Sequence, residues 1–157
     1  MTRRRGGTRA APGQGEYAMP QPTATEADLR AGPLGTGALL LQMLWGIFLA
    51  AWNFRGVALI GQHQAPLGPG SSMNAALIAI GLLVALLVTA KRSPAAYGLV
   101  SLAILGVAGW TALNEVTADP STWASSGWRT ATIGLNGLGM LGSALGLANV
   151  VRHWRAR

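Results

Sequence analysis

The stretch AALIAIGLLVALLV, residues 75–88, has no polar side chain on any face. A helix in a water-soluble protein needs a polar stripe toward the solvent, so this stretch is typical of a helix surrounded by lipid. It lies within the uncharged segment 73–90, and similar segments occupy 34–54, 95–113 and 131–151. Each has roughly 18 to 21 residues, enough for a helix to cross a hydrocarbon layer of about 30 Å. The sequence therefore predicts an all-α, polytopic membrane protein with four transmembrane helices in an antiparallel bundle.

The charged residues, 11% of the chain, predict how these helices are oriented. The formal net charge of +7 would suit a nucleic-acid-binding protein, but the basic residues alternate between the two sides of the predicted helices. All of the twelve Lys and Arg residues except Arg55 and Arg129 fall on one side. The positive-inside rule then places both termini and the Lys91–Arg92 turn in the cytoplasm, and the loops 55–72 and 114–130 outside. We expect no nucleic-acid partner.

Residues 1–33 form a separate region. They are rich in Arg, Gly, Pro, Gln and Thr and show no apolar periodicity, so we expect a cytoplasmic, largely disordered basic tail. Residues 34–157 form the transmembrane domain. The strong preference for Arg over Lys, together with abundant Ala and Gly, indicates a GC-rich bacterial genome. The expected location is therefore the bacterial inner membrane, with membrane lipids as the first partners.

Tryptophans mark the expected membrane boundaries, because an indole ring is apolar while its N–H can stay hydrated. One group would lie near the outer interface, and a single residue near the inner one. These interfacial anchors are Trp52, Trp110, Trp123 and Trp128 outside and Trp154 inside. Trp45 is the exception, since it lies deep enough in its segment to face another helix.

The residues that usually hold cofactors are scarce. Cysteine is absent, which excludes disulfides and thiolate metal sites. The two histidines, His63 and His153, would lie on opposite faces of the membrane and so could not ligate one metal or haem. We expect no cofactor ligated by side chains, although shape alone could hold a lipid, quinone or pigment.

Six polar residues form the candidate polar site. Gln42 and Asn136 lie inside predicted spans, where an amide needs a hydrogen-bond partner; they act either as links between helices or as ligand contacts. Near the outer interface, Arg55 and Glu115 would form an ion pair or two separately solvated charges, and the pair is the weaker interpretation. Two amides lie at the same level, which gives the candidate group Asn53, Arg55, Asn114 and Glu115.

The fourth segment has an unusual number of glycines. Gly139, Gly142 and Gly146 follow one helix face and allow another backbone to approach closely. The third segment has a weaker set at Gly106 and Gly109. This predicted helix-packing interface joins either the third and fourth helices of one chain or two different subunits.

Two function classes fit these features. The first is a structural or accessory subunit of a larger membrane complex, respiratory, photosynthetic or transport, because ligand sets are missing while a packing face and a basic tail are present. The alternative is a small oligomeric channel or transporter that uses the polar residues near the outer interface. An enzyme acting through Glu115 and His63 fits least, so we expect no catalysis.

Overall fold

The computed structural model describes residues 32–156, which form four long helices. They are α1 (Pro33–Gly61), α2 (Met73–Arg92), α3 (Pro94–Thr117) and α4 (Ser126–Arg155), and a 3₁₀ turn at Pro120–Thr122 precedes α4. All four helices are long and apolar enough to cross a membrane. Except for Gly32 and Pro33, the predicted tail lies outside the described residues.

Serine caps define where three of the helices begin. The hydroxyl groups of Ser72, Ser93 and Ser125 accept hydrogen bonds from the first-turn amides of α2, α3 and α4. Such a bond satisfies one of the amides that have no partner within the helix. Ser93 also ends α2, and Pro94 follows it as the first residue of α3. One extended residue therefore separates these two helices.

The helices extend beyond the uncharged segments that predicted them. α1 continues from the expected boundary near residue 54 to Gly61, so only residues 62–72 remain of the predicted loop 55–72. Similarly, α3 continues to Thr117 and α4 already begins at Ser126, which shortens the predicted loop 114–130. The reason is that apolar residues mark the part of a helix that suits lipid, whereas the helix itself ends where glycines, prolines and caps stop it.

The helices pack in the pairs α1–α2, α2–α3, α3–α4 and α1–α4. The loops after α1 and after α3 lie together, since the amide of Ala124 donates a hydrogen bond to the carbonyl oxygen of Leu67 at 3.2 Å. We call this end of the molecule the long-loop end. At the opposite end, Gly98 near the start of α3 faces Val150 near the end of α4. We call this the Ser93 end.

The distribution of polar groups is the reverse of that in a water-soluble protein. Large apolar side chains such as Leu99, Leu40 and Leu113 are more than half exposed. Polar side chains, in contrast, are buried between the helices; they are Gln42, Asn53, Ser101, Glu115, Thr132, Asn136 and Ser143. Polar groups inside a membrane domain are costly to leave unpaired and often mark functional positions, so their contacts define where a site can lie.

Candidate functional site: a polar cavity at the long-loop end

Gln42 is the centre of one group of buried polar side chains, which we call the glutamine cluster (Gln42, Tyr97, Ser101 and Ser143). Its amide nitrogen donates to the Ser101 hydroxyl at 3.0 Å and, more weakly, to the Ser143 hydroxyl at 3.4 Å. Its amide oxygen accepts a hydrogen bond from the Tyr97 hydroxyl at 2.9 Å. Each of these four residues is at most 2% exposed. The cluster therefore links α1 to α3 and α4, and its polar groups bond to one another away from the surface.

Glycines on α4 allow this close packing. A Cβ atom on Gly142 would lie 2.8 Å from the Leu41 Cβ and 3.0 Å from the Gln42 backbone nitrogen. A Cβ on Gly146 would lie 2.8 Å from the Tyr97 hydroxyl oxygen. Gly139 faces the Trp45 ring in the same way. The glycine face of α4 thus packs against α1 and α3 of its own chain.

The two glycines predicted on the third helix are different. A Cβ on Gly106 or Gly109 would have no neighbouring atom within 4 Å. The structure therefore does not bring them into the close contact that α4 makes. The glycines of α4 are instead contacted by larger residues of α1 and α3, such as Trp45, Gln42 and Tyr97.

A second polar chain joins α1, α4 and α3 nearer the long-loop end; we call it the Asn136 chain (Trp45, Asn136 and Glu115). The Trp45 indole donates to the Asn136 side-chain oxygen at 3.0 Å. The Asn136 amide nitrogen donates to the Glu115 carboxylate, also at 3.0 Å. Both groups of the Asn136 amide are therefore bonded within the protein. Glu115, the last member, is 9% exposed.

Two further residues, Arg129 and Asn53, hold the helix ends around Glu115 through two hydrogen bonds each. Arg129 donates from its guanidinium group to the backbone oxygens of Glu115 and Val116, at 3.2 and 2.6 Å. These are last-turn carbonyls of α3, which lack partners within the helix and carry partial negative charge. On the other side, Asn53 accepts from the Ser72 amide at 3.0 Å and donates to the Leu49 backbone oxygen at 2.9 Å. The start of α2 is thereby attached to α1.

A cavity of about 590 Å³ lies between α1, α2 and α3 at the long-loop end. Its polar wall consists of Asn53, Thr111, Asn114 and Glu115. Its apolar wall includes the indoles of Trp52 and Trp110 and side chains such as Leu49, Ile78 and Val107, and the loop residues Pro69 and Gly70 form one edge. The volume lies in the range of cavities that bind small organic molecules.

The structure thus unites only part of the predicted polar site. Asn53, Asn114 and Glu115 line one cavity. Gln42 lies in the closed glutamine cluster, and Asn136 is bonded to Glu115 but does not line the cavity. Arg55 is exposed and does not line the cavity. Among the described residues that form the wall, Glu115 is the one acidic side chain and none is basic. The cavity therefore offers one carboxylate, several neutral polar groups and two large aromatic rings.

The predicted tryptophan anchors divide into two kinds. Trp110, Trp128 and Trp154 are exposed. Trp52 is half-buried and meets Trp128 edge to face, with ring centroids 5.5 Å apart. Trp123, in contrast, is only 7% exposed, because its ring lies where a Cβ on Gly68 would be. It fastens the two long loops to each other, a role that its spacing in the sequence does not reveal.

The described residues include no group of three His, Asp or Glu side chains arranged to hold a metal ion. His63 lies exposed in the loop after α1, in the left-handed backbone conformation (φ 58°), and it does not line the cavity. His153 is half-buried near the end of α4. The two histidines therefore belong to opposite ends of the molecule.

The predicted polar site did not include four polar members of these sites, namely Tyr97, Ser101, Ser143 and Thr111. Tyr97 lies one turn before Ser101 on α3, and that spacing is the signal that could have joined it to Gln42. Thr111 lies one turn before Glu115 in the same way and lines the cavity. Searches of protein-family models, curated proteins and solved structures found no match to this chain.

Proposed function

We propose that this chain is a multi-pass protein of the bacterial inner membrane whose function is to bind a small molecule in the cavity beside Glu115, as part of a small channel or transporter. The observation that carries the proposal is a buried carboxylate in the wall of a cavity of about 590 Å³, near one end of a membrane-spanning helix. An ionisable group at such a position is costly to maintain and is usually functional. The Asn136 amide donates a hydrogen bond to this carboxyl group and holds it in the cavity wall.

The proposed arrangement is an antiparallel four-helix bundle with both termini in the cytoplasm. It is supported by the contacts at each end, where Leu67 meets Ala124 and Gly98 meets Val150. In this arrangement the Ser93 end carries Lys91, Arg92, Arg152 and Arg155, so the positive-inside rule makes it the cytoplasmic end. The cavity then opens toward the outer face of the membrane.

The absence of cysteine from the chain allows a direct test of this topology. Single cysteines at Ala65, in the loop after α1, and at Lys91, at the Ser93 end, would both be exposed. A membrane-impermeant maleimide added to intact cells should label Ala65→Cys and should label Lys91→Cys only after lysis. The reverse pattern would invert the proposed orientation, and labelling of both in intact cells would refute the four-span arrangement.

Binding is tested on the full chain in lipid nanodiscs, by screening small molecules for thermal stabilisation. Ala75→Phe fills the cavity from the first turn of α2, whereas Ala103→Phe adds the same side chain to an exposed position of α3 outside the cavity wall. We expect stabilising compounds that act on the natural chain and on Ala103→Phe but not on Ala75→Phe. Compounds that stabilise all three alike would argue against a site in the cavity.

A role as an accessory subunit is the second candidate. The glycine face that first suggested docking to another protein is occupied by α1 and α3. Another set of small residues, however, follows the exposed side of α4; it comprises Gly134, Gly137, Ala144 and Ala148. A Cβ on Gly134 or Gly137 would meet no atom within 4 Å, so a helix of another subunit has space to approach there. Loss of a co-purifying membrane protein in Gly137→Leu, with the thermal stability of the chain unchanged, would favour this second role.

A further inference from the structure

The cavity combines three features that together select a class of ligand. Among the described residues that line it, its wall has one acidic side chain, Glu115, and no basic one. Two indole rings, Trp52 and Trp110, contribute to the same wall. Its volume of about 590 Å³ far exceeds that of a single inorganic ion and suits a small organic molecule.

We propose that the cavity binds an organic cation, with Glu115 as its counter-charge and the indoles of Trp52 and Trp110 as its aromatic contacts. This inference rests on the proposed function, because it assigns a ligand class to the same cavity. A carboxylate attracts a cation strongly where water is excluded, and the faces of indole rings add a further attraction for cationic groups. The apolar part of such a ligand would contact Leu49, Ile78 and Val107.

Neutral and anionic ligands fit these residues less well. An anion would be repelled by Glu115, and Arg129, which contacts the end of α3, is bonded there to backbone carbonyl oxygens. A neutral ligand would leave the carboxylate with its protein partner Asn136 but without an opposite charge. The amino end of α2 carries partial positive charge, but the Ser72 hydroxyl already accepts from the Ala75 amide there.

Trp52 is held in place for this role. Its ring meets Trp128 of α4 edge to face, at an interplanar angle of 63°. An aromatic contact that is fixed before binding loses little side-chain entropy when the ligand arrives. Asn53, the next residue of α1, is fixed by its bonds to Ser72 and Leu49, so both wall residues of this turn are preorganised.

The test compares two probes of the same shape that differ only in charge. Benzyltrimethylammonium carries a permanent positive charge, and neopentylbenzene replaces its nitrogen by carbon. Binding of both probes is measured by equilibrium dialysis on the full chain in phosphatidylcholine nanodiscs, with empty nanodiscs as the blank. Zwitterionic lipid avoids attraction of the cation to the bilayer itself.

Three variants complete the design. Glu115→Gln removes the charge but keeps an oxygen that accepts from Asn136. Asp119→Asn removes a charge of the same sign from the exposed loop at this end, and asparagine caps the following 3₁₀ turn as aspartate does. Ala75→Phe fills the cavity.

We expect the natural chain to bind the cation at least about tenfold more tightly than its neutral isostere. The isostere has no positive charge to pair with the buried Glu115 carboxylate, and removal of one partner of a buried charge pair weakens binding by at least this factor. Glu115→Gln should bind the two probes equally, whereas Asp119→Asn should keep the preference, since exposed charges contribute little. A natural chain that binds both probes alike, or a Glu115→Gln variant that keeps the preference, would overturn the cation assignment. If Ala75→Phe also changes neither affinity, the cavity is no binding site, and the proposed function falls with it.

Discussion

The glutamine cluster and the Asn136 chain are built from similar side chains, yet one is closed and the other reaches a cavity. In the cluster, the Gln42 amide is surrounded by three hydroxyl groups and by the backbone of α4, which approaches at Gly142 and Gly146. In the Asn136 chain, the last member is Glu115, which faces a cavity of about 590 Å³. The cluster is closed because α4 packs against it through glycines, whereas a cavity lies beside Glu115.

This contrast separates stability from function in the interior. A polar group whose partners are all supplied by the chain holds helices together, and each such bond contributes about 0.6 kcal/mol on average in a membrane protein. A carboxylate that also faces a cavity can interact with something the chain does not supply. Substitutions in the glutamine cluster should therefore change stability, and substitutions around Glu115 should change binding.

The largest effect is expected from Gly142→Leu. The new side chain would collide with the Leu41 side chain and with the Gln42 backbone, and a backbone atom cannot turn away as a side-chain end can. Overpacking of this kind costs about 1–3 kcal/mol or more. Gly137→Leu is the matched control on the same helix, because its Cβ would meet no atom within 4 Å.

We therefore expect Gly142→Leu to lower the melting temperature strongly or to prevent purification, and Gly137→Leu to leave it unchanged or slightly raised. The measurement is the fraction that remains monodisperse in mild detergent after heating. Equal melting temperatures for the two variants would show that the glycine face of α4 is not a close contact.

A smaller loss of stability is expected from Gln42→Leu. Leucine is similar in size to glutamine but lacks both the amide nitrogen and the amide oxygen. Tyr97 then loses the acceptor of its hydroxyl group, and Ser101 loses its 3.0 Å bond from the Gln42 amide. An unsatisfied buried group costs about 1–3 kcal/mol, although serine can turn its hydroxyl to a backbone oxygen of its own helix. The same heating assay measures the change.

A double-mutant cycle checks the cause of that loss. Tyr97→Phe removes the hydroxyl group that Gln42→Leu leaves without an acceptor, so the double variant should lose less stability than the two single losses added together. Strict additivity would mean that the 2.9 Å contact between Tyr97 and Gln42 contributes nothing to stability.

Glu115→Gln should affect stability least among the buried substitutions, by less than about 1 kcal/mol, because near-isosteric changes that keep a hydrogen bond are tolerated. The side-chain oxygen of glutamine can still accept from the Asn136 amide, now at 3.0 Å from the Glu115 carboxylate. Thermal melting of the chain without ligand is the measurement. A loss as large as that of Gln42→Leu would assign Glu115 to structure and would remove the contrast between the two regions.

The two regions also differ in how far the sequence predicted them. Hydrophobic patterning predicted the four helices, because a long run without polar side chains, such as residues 75–88, is typical of a helix surrounded by lipid. The glycine spacing predicted a close-packed face on α4. It could not predict which residues pack against that face, because Trp45, Gln42 and Tyr97 come from segments far away in the chain. Asn53, Asn114 and Glu115 were grouped by their depth in the membrane. Depth alone could not exclude Arg55, which lies on the exposed side of α1.

The smallest effect is expected from Asp119, the other described carboxylate at the long-loop end. It is fully exposed, and its side chain accepts a hydrogen bond from the Ser121 backbone amide at 2.8 Å. That bond, with a further one from the Ser121 side chain, lowers the pKa of Asp119 below its ordinary value. A lowered pKa in the folded chain means that ionised Asp119 stabilises the fold above the unfolded pKa of about 3.9, and that this contribution is lost as the pH falls through the folded pKa.

Asp119→Asn has no charge to lose, so the melting temperature of the natural chain relative to this variant should fall slightly on acidification from about pH 5 to about pH 3. Melting curves of both proteins in the same detergent provide the measurement. A rise of the natural chain relative to the variant would contradict the sign of the shift. Glu115→Gln, melted over the same range, shows whether the buried carboxyl group adds a pH dependence of its own to the stability of the fold.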